Sequence, residues 1–585
     1  MSIEQIADKV IEKDVLVIGT EAAGGIAAIA ASPSVDVLMV TKGVMGKSGV
    51  TIMAVATYSA PFADGDTPEA TFRDMIIGGR FLNDQHLAEI FSREAAETVT
   101  ELERYGVRWA KEKGRYLALA MPGHTYARGC YTLPIGTTGR QITRALVKEA
   151  SHRNVQLLND TFVTDILVKD GRAVGVTAID LRSGEMLVIK AKCTILATGG
   201  GMEVYKGNCG AREATGDGYS MAYRLGLPLR DMEFVQYYPT VMIWPKRLFG
   251  QQTVTRLRYE LNAQLLNFYG ERFMTRYSPV HMEKSTRDIV ARAIQMEVKE
   301  GRGTEHGGAY MDVSYLPRKV VDAAIARLYP GYDFGGVKML EEGIDIREEP
   351  FEVAPGAHFF MGGIVADEWG EVGLPGLLAC GEVVGGVHGA NRLGGNALPE
   401  MSVFGMRAGR RAVEIARREK GFTEPEPAQV REIRDRRYAI FSRERGIRPR
   451  EVREEIQQVM WDNLLALRDE GTIQNALRQI ENIRCDKLPR LFLSDQTRNY
   501  NLEWLEALEA EAMLDVAEMI GRAALVRQES RGAHFRFDFP VEDNEHWLVN
   551  LIVRQEKDRM KIDRRPALLT KVGLDADDKN QRVND

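Results

Sequence analysis

Apolar positions early in the chain fall in short runs that stop at glycine. "KDVLVIG" (13–19) reads as a buried strand, "AAGGIAAIAAS" (22–32) as a helix of small residues, and "VDVLMVTK" (35–42) as a second apolar strand. Together they predict a β-α-β unit. Further strands are expected at "RAVGVTAID" (172–180) and "KCTILATGG" (192–200). Near residue 240 the pattern gives way to a stretch rich in aromatics and arginines, and near 354 glycine-rich strand-and-turn sequence returns. A Pro/Glu linker, "FTEPEPAQ" (422–429), precedes a part that reads as helices. In its longest apolar stretch (501–526), Trp504, Leu505, Leu508, Leu514, Ala517 and Met519 fall roughly on one helical face, the signature of a core-facing helix. Beyond residue 550 the sequence is mixed-charge and reads as a solvated tail.

Composition narrows the class. The 585 residues suffice for several domains, and 44% hydrophobic with 27% charged residues describes an ordinary globular chain. A net charge of −6 gives no sign of nucleic-acid binding. No apolar run approaches the ~18 residues of a membrane span, and the N-terminus shows no secretory signal, so the chain reads as cytoplasmic. The five cysteines (Cys130, Cys193, Cys209, Cys380, Cys485) are widely spaced without C-x-x-C, which argues against a disulfide framework, a zinc site or an internal iron–sulfur cluster. No metal site is expected, and long-range electron transfer would need clusters on a partner.

Three glycine-rich segments point to one long cofactor. In "VLVIGTEAAGG" (15–25), Gly19 permits a tight exit from the strand, and Gly24 or Gly25 lets the helix pack closely, its N-terminus facing a pyrophosphate. The middle glycine of G-x-G-x-x-G is replaced by Glu21, which must therefore hold a negative φ and turn its carboxylate away from the phosphates. "TILATGGG" (194–201) and "GLLACGEVVGGVHGANRLGGNAL" (376–398) are strands ending in glycines. Glu382, a carboxylate at a strand end, can accept bonds from cofactor hydroxyls or act as a helix N-cap. The second strand ends in Thr41 rather than an acid, which weakens a generic NAD reading.

Six motifs then occur in order: "EATGDGYSMAYRLG" (213–226), "GERFMTRYSP" (270–279), "STRDIVARAI" (285–294), "HFFMGGI" (358–364), "HGANRLGGNAL" (388–398) and "ESRGAHFRFDFPVEDNEHWL" (529–548). With these, residues 13 to 550 resemble the flavoprotein subunits of succinate dehydrogenase and fumarate reductase, with L-aspartate oxidase and the adenylylsulfate reductase flavoprotein as relatives. The resemblance implies an α/β protein: a Rossmann-like FAD-binding domain (1–240 and 354–421) interrupted by an α+β capping domain (241–353). A helical domain (430–550) and a tail (551–585) follow. It implies FAD contacts at Gly19, Gly24, Thr41, Lys42, Ser48, Gly49, Thr198, Gly199, Asp217, Glu382, Ala397 and Leu398. Arg287 matches the arginine that moves the substrate proton, and His358 and Arg392 match the pair that grips a substrate carboxylate. The implied partners are a separate iron–sulfur subunit and a small carboxylic acid, with the inner membrane face reached only through partners.

The sequence departs from the family at three places. Gly49 of "KSGVT" stands where many members carry the histidine that bonds covalently to the flavin, so the FAD is expected to be dissociable. "QYYPTV" (236–241) puts Tyr238 in place of a substrate-binding histidine. "TRLRYELNA" (255–263) retains Thr255 as a carboxylate ligand but puts Arg256 at the position of the proton-relay acid and Tyr259 at that of a second arginine. Trp244 and Phe249 are expected to enlarge the pocket and make it less polar. The resulting expectation is hydride transfer between FAD and the C–C/C=C bond of fumarate, succinate or a related enoate. The competing readings are an adenylylsulfate-reductase-like enzyme, an aspartate-oxidase-like enzyme and a non-catalytic electron relay.

Overall fold

The computed structural model describes residues 2–576 apart from 56, 254, 255, 329–332, 335, 336 and 558. Its central sheet is built from Lys9–Ile18 (β1), Val37–Val40 (β2), Gln156–Leu158 (β3), Thr161–Lys169 (β4), Arg172–Asp180 (β5) and Glu185–Leu196 (β6), in the order β3–β2–β1–β6–β5–β4. β1 runs parallel to both neighbours, with Leu16 opposite Leu38 and Thr194, and Ile18 opposite Val40 and Leu196. The strand Leu377–Ala379 adds in parallel to the end of β6. Three chain segments far apart in sequence therefore end side by side at one carboxyl edge, where open α/β sheets bind ligands.

Helix α1 (Ala22–Ala31) leaves β1 through Gly19, whose φ of +106° only glycine holds without strain. A Cβ at Gly24 would lie 2.0 Å from the Gly19 carbonyl oxygen, so helix and turn touch backbone to backbone. Helix α2 (Asp217–Arg224) follows the second glycine segment.

A second sheet carries the catalytic face. It is antiparallel, in the order β7–β10–β9–β8, from Val235–Met242 (β7), Gln264–Leu266 (β8), Ala309–Asp312 (β9) and Phe351–Phe360 (β10). Helix α3 (Arg287–Lys299) packs on β7, and Met242, Leu257, Ile294, Met311 and Val353 share its core. The boundaries read from composition at 240 and 353 fall inside β7 and β10, because each strand runs on from one layer into the other.

Helix α4 (Ala397–Arg418) lies on α1: Gly405 and Gly409 face the carbonyls of Ala23 and Ala27 so closely that a Cβ at either would collide with them. Helix α5 (Leu502–Val526) differs from the one-faced helix expected. Leu505 is half-buried, whereas the acids Glu506, Glu509 and Asp515 are buried. Glu506 pairs with Arg212, Glu509 with Lys42 and Arg453, and Asp515 with Arg224 and Arg484. Burial of these acids is tolerated because each has a cationic partner. The expected solvated tail is also corrected. Val549–Glu556 (β11) and Arg559–Pro566 (β12) form an antiparallel hairpin, and β11 pairs with Leu229–Arg230 through its apolar Ile552 and Val553.

Candidate active site

Two cavities meet behind the carboxyl edge of the central sheet, sharing Val50, Thr51, Glu382 and Met401 in their walls. The smaller, about 110 Å³, is walled by Gly19, Thr41, Ser48, Gly49, Thr198, Gly199 and Asp217, all expected from the sequence to contact the dinucleotide. Gly199 has φ +72° and open space where a Cβ would project. The Thr198 hydroxyl beside it is buried without a partner. The first N–H groups of α1 have no intrahelical carbonyl. An open backbone, an orphan donor and a helix N-terminus fit the diphosphate of FAD.

Several of these side chains are already engaged. Lys42 Nζ binds Thr215 Oγ1 at 2.5 Å, Asp217 Oδ2 at 2.7 Å and Glu509 Oε1 at 2.7 Å, tying β2, α2 and α5 together at the cavity wall. Burial pulls its pKa down, but Asp217 and Glu509 outweigh it and hold it above the ordinary value. The Ser48 hydroxyl accepts from Val44 N–H and donates to Val44 O, closing its loop. One Glu382 oxygen accepts the Phe360 N–H at 3.0 Å, and burial pushes its carboxyl up to about 7.

Glu21 has φ −81° and caps α1, and its carboxylate crosses to the loop after Gly49. Oε2 accepts from Val50 N–H (2.8 Å), Thr51 N–H (2.9 Å) and Thr51 Oγ1 (3.2 Å). The Glu21 side chain makes no capping bond to α1, and the first N–H of the helix, that of Ala22, donates to Thr51 Oγ1 at 3.2 Å.

The larger cavity, about 250 Å³, holds Tyr238, Arg287, His358, Arg392, Ala397 and Leu398, whereas Gly24 lines neither cavity. Arg287 begins α3, His358 lies on β10, Arg392 lies in the glycine-rich loop, and Ala397 and Leu398 open α4. Gln236, which the sequence motifs do not single out, unites them: its Oε1 accepts from Arg287 Nη1 at 3.1 Å and from Arg392 Nη2 at 2.8 Å. Its Nε2 donates to Arg392 O at 2.7 Å and Asn391 Oδ1 at 3.1 Å. Its only signal in the sequence is its place at the head of "QYYPTV". Arg392 Nε is buried without a partner. Burial, reinforced by the charge of Arg287, pushes Arg392 down to about 9. Arg287 is likewise lowered, first by burial, despite the Tyr238 ring 5.3 Å from its guanidinium carbon.

The altered positions divide. Tyr238 lines the cavity and donates its hydroxyl to the Thr253 carbonyl. Tyr259 lines the cavity while its hydroxyl bonds Lys284 O at 2.8 Å. Thr255 and the Arg256 side chain lie outside the described residues. The expectation for Trp244 and Phe249 fails: Trp244 stacks on His306 at 4.0 Å and Phe249 packs towards Trp461, both away from the cavity. Its apolar wall comes instead from Met53, Val55, Leu119 and Met121.

A dinucleotide cradle opening onto a cavity lined by two arginines and a histidine defines an FAD-dependent oxidoreductase. Comparisons agree: the FAD binding domain family model matches residues 14–398, and the fumarate reductase flavoprotein C-terminal model matches 453–581. The chain is 39% identical to a subunit of the fumarate reductase (CoM/CoB) of Methanothermobacter marburgensis, over 94% of this chain and 99% of that one. It is 33% identical to a fumarate reductase flavoprotein subunit of Mycobacterium tuberculosis, over 96% and 98% of the two chains. E. coli quinol fumarate reductase superposes with a TM-score of 0.88 at 29% identity, over 96% and 98%. The adenylylsulfate reductase of Archaeoglobus fulgidus shares the fold, with a TM-score of 0.79 at 19% identity over 97% of each chain. The chain belongs to the fumarate reductase/succinate dehydrogenase flavoprotein family.

Proposed function

We propose that the chain reduces the C=C bond of a carboxylic acid, fumarate or a related enoate, with electrons delivered by a separate iron–sulfur protein. The observation that carries this reading is the convergence of Arg287, His358 and Arg392 on one cavity adjoining the FAD cradle. Bound FAD in its reduced form supplies the hydride equivalent. Arg392 and His358 hold the substrate carboxylate, the guanidinium using donors that Gln236 leaves free. Arg287 gives its proton to the second alkene carbon. Arginine is a poor acid in water, but burial, with the charge of Arg258 adding to it, makes the protonated form easier to discharge. Gln236 fixes the spacing of the two guanidinia, and the apolar wall keeps bulk water from the reacting carbons.

The cysteines support an external source for electrons: all five are free thiols, four of them buried, and among the described residues no cluster of ligands could hold a metal. No described helix is long and apolar enough to cross a membrane.

The test is anaerobic. The protein is reduced with dithionite, then mixed with fumarate, other enoates or adenylylsulfate while the flavin absorbance is followed. Reoxidation by an enoate is the expected result. Reoxidation by adenylylsulfate alone, or by none of these, overturns the reading.

The flavin is held without a covalent bond, because Gly49 has no side chain to form one. Acid precipitation is expected to give a colourless pellet with all FAD in the supernatant. A yellow pellet would contradict this.

A further inference from the structure

The thiol nearest the substrate cavity has no place in this chemistry as described. Cys209 lies in "GNCGA" ahead of α2, is 6% exposed, and its Sγ is 3.0 Å from His358 Nδ1. We propose that Cys209 is a positioning residue, its S–H donating to Nδ1 so that His358 presents Nε2–H to a substrate carboxylate. This rests on the reading of His358 as a carboxylate ligand.

The backbone sets the contact. Cys209 N–H donates to Ala357 O at 3.0 Å, and Ala357 N–H donates to Gly207 O at 2.9 Å, which zips the loop to β10 beside His358. Asn208 braces the turn, accepting from Gly210 N–H at 3.0 Å and donating to Tyr205 O at 2.9 Å. These main-chain bonds hold Cys209 beside His358, with Sγ within reach of Nδ1.

Charge decides which atom carries the hydrogen. Burial, with Arg287 and Arg392 adding to it, holds His358 well below its ordinary pKa, so the ring is neutral with a single N–H. Burial pushes the Cys209 thiol up to about 12, so it keeps its proton to donate. The other acceptor within reach of Sγ, Ala357 O at 3.4 Å, is farther and already accepts the Cys209 N–H. Among the described residues no group bonds Nε2, and the ring lines the cavity.

The two tautomers have opposite consequences. With hydrogen on Nε2, the ring donates to a carboxylate, which at neutral pH only accepts. With hydrogen on Nδ1, a lone pair would face that carboxylate and repel it. A weak donor thus selects the form of the ring that can bind substrate.

The experiment uses the full, FAD-loaded chain labelled with ¹⁵N-histidine and reads tautomers from two-bond ¹H–¹⁵N correlations, with His358 assigned from its loss in His358→Gln. The parent protein is expected to show the Nε2–H form. Cys209→Ser, which keeps a donor, retains it, whereas Cys209→Ala shifts it towards a mixture or the Nδ1–H form. In parallel, fumarate is titrated against the oxidised flavin spectrum. Cys209→Ala is expected to weaken binding roughly five- to tenfold, the worth of one hydrogen bond, with KM raised and kcat little changed. An Nδ1–H ring in the parent, or an unchanged tautomer in Cys209→Ala, overturns the proposal. The tautomer decides it whether or not fumarate binds, and absence of any fumarate response in the parent counts against the substrate reading alone.

Discussion

Replacing Arg287 with glutamine is expected to lower enoate reduction by about 10³-fold, within the ~10²–10⁴ range of a lost general acid, with FAD content unchanged. Glutamine still reaches the cavity and can still bond Gln236, but it has no proton to give. FAD retention follows because Arg287, on α3, lines the larger cavity and is not part of the cradle wall. Lysine at the same position tests charge against geometry. It keeps a proton but loses the planar donor that meets Gln236 Oε1, so partial activity is expected. The measurement is dye-linked reduction of the enoate that reoxidises the parent flavin, beside the flavin spectrum of each variant. Loss of enoate turnover with flavin retained fits the enzyme. If the variant passed electrons from the reduced partner to the dye and consumed enoate as the parent does, the chain would be a relay and the catalytic role would fall.

Arg287, His358 and Arg392 are legible in the amino-acid sequence because each sits inside a motif that matches the family, and the fold brings all three to one cavity. Gln236 is not, because its importance is relational: a neutral amide becomes a hub only when two arginines 51 and 156 residues away arrive beside it. Cys209 is hidden for the same reason, since nothing local predicts that its loop runs beside β10. The early strands are clear from apolar runs ending at glycine. The all-round burial of α5 is not, because Glu506, Glu509 and Asp515 look solvated until their arginine and lysine partners, distant in sequence, are in place. The hairpin β11–β12 is masked by its charge: one strand buries Leu551, Ile552 and Val553, while β12 is largely exposed and reads as a tail.

Glu21 and Gly49 look in the sequence like two unrelated departures, and the structure makes them one. Gly49 has φ +91°, and a Cβ built there would lie 1.6 Å from Glu21 Oε1 and 2.1 Å from its carboxyl carbon. The Glu21 carboxylate cannot simply step aside, because Oε2 holds Val50 and Thr51 N–H, which set the loop between the two cavities. Burial pushes this carboxyl up to about 7, the shift of an acid held away from water. Gly49→His alone is therefore expected to lose most of its FAD: the imidazole would have to expel Glu21 from the loop into the cradle, and a side chain at positive φ adds backbone strain. Glu21→Gly alone should still bind FAD, since the phosphate-binding turn then returns to its glycine form and only the loop bonds are lost. The double variant removes the steric conflict, leaving the strain, and should regain a large part of the cofactor. FAD per chain from absorbance, together with the melting temperature with and without added FAD, reads all three. Full FAD loading in Gly49→His, or a double variant no better than Gly49→His, would show that the two positions are independent. Otherwise the carboxylate in the dinucleotide turn and the glycine at the covalent-attachment position are two halves of one packing solution, in which Glu21 fills the space a side chain at residue 49 would need.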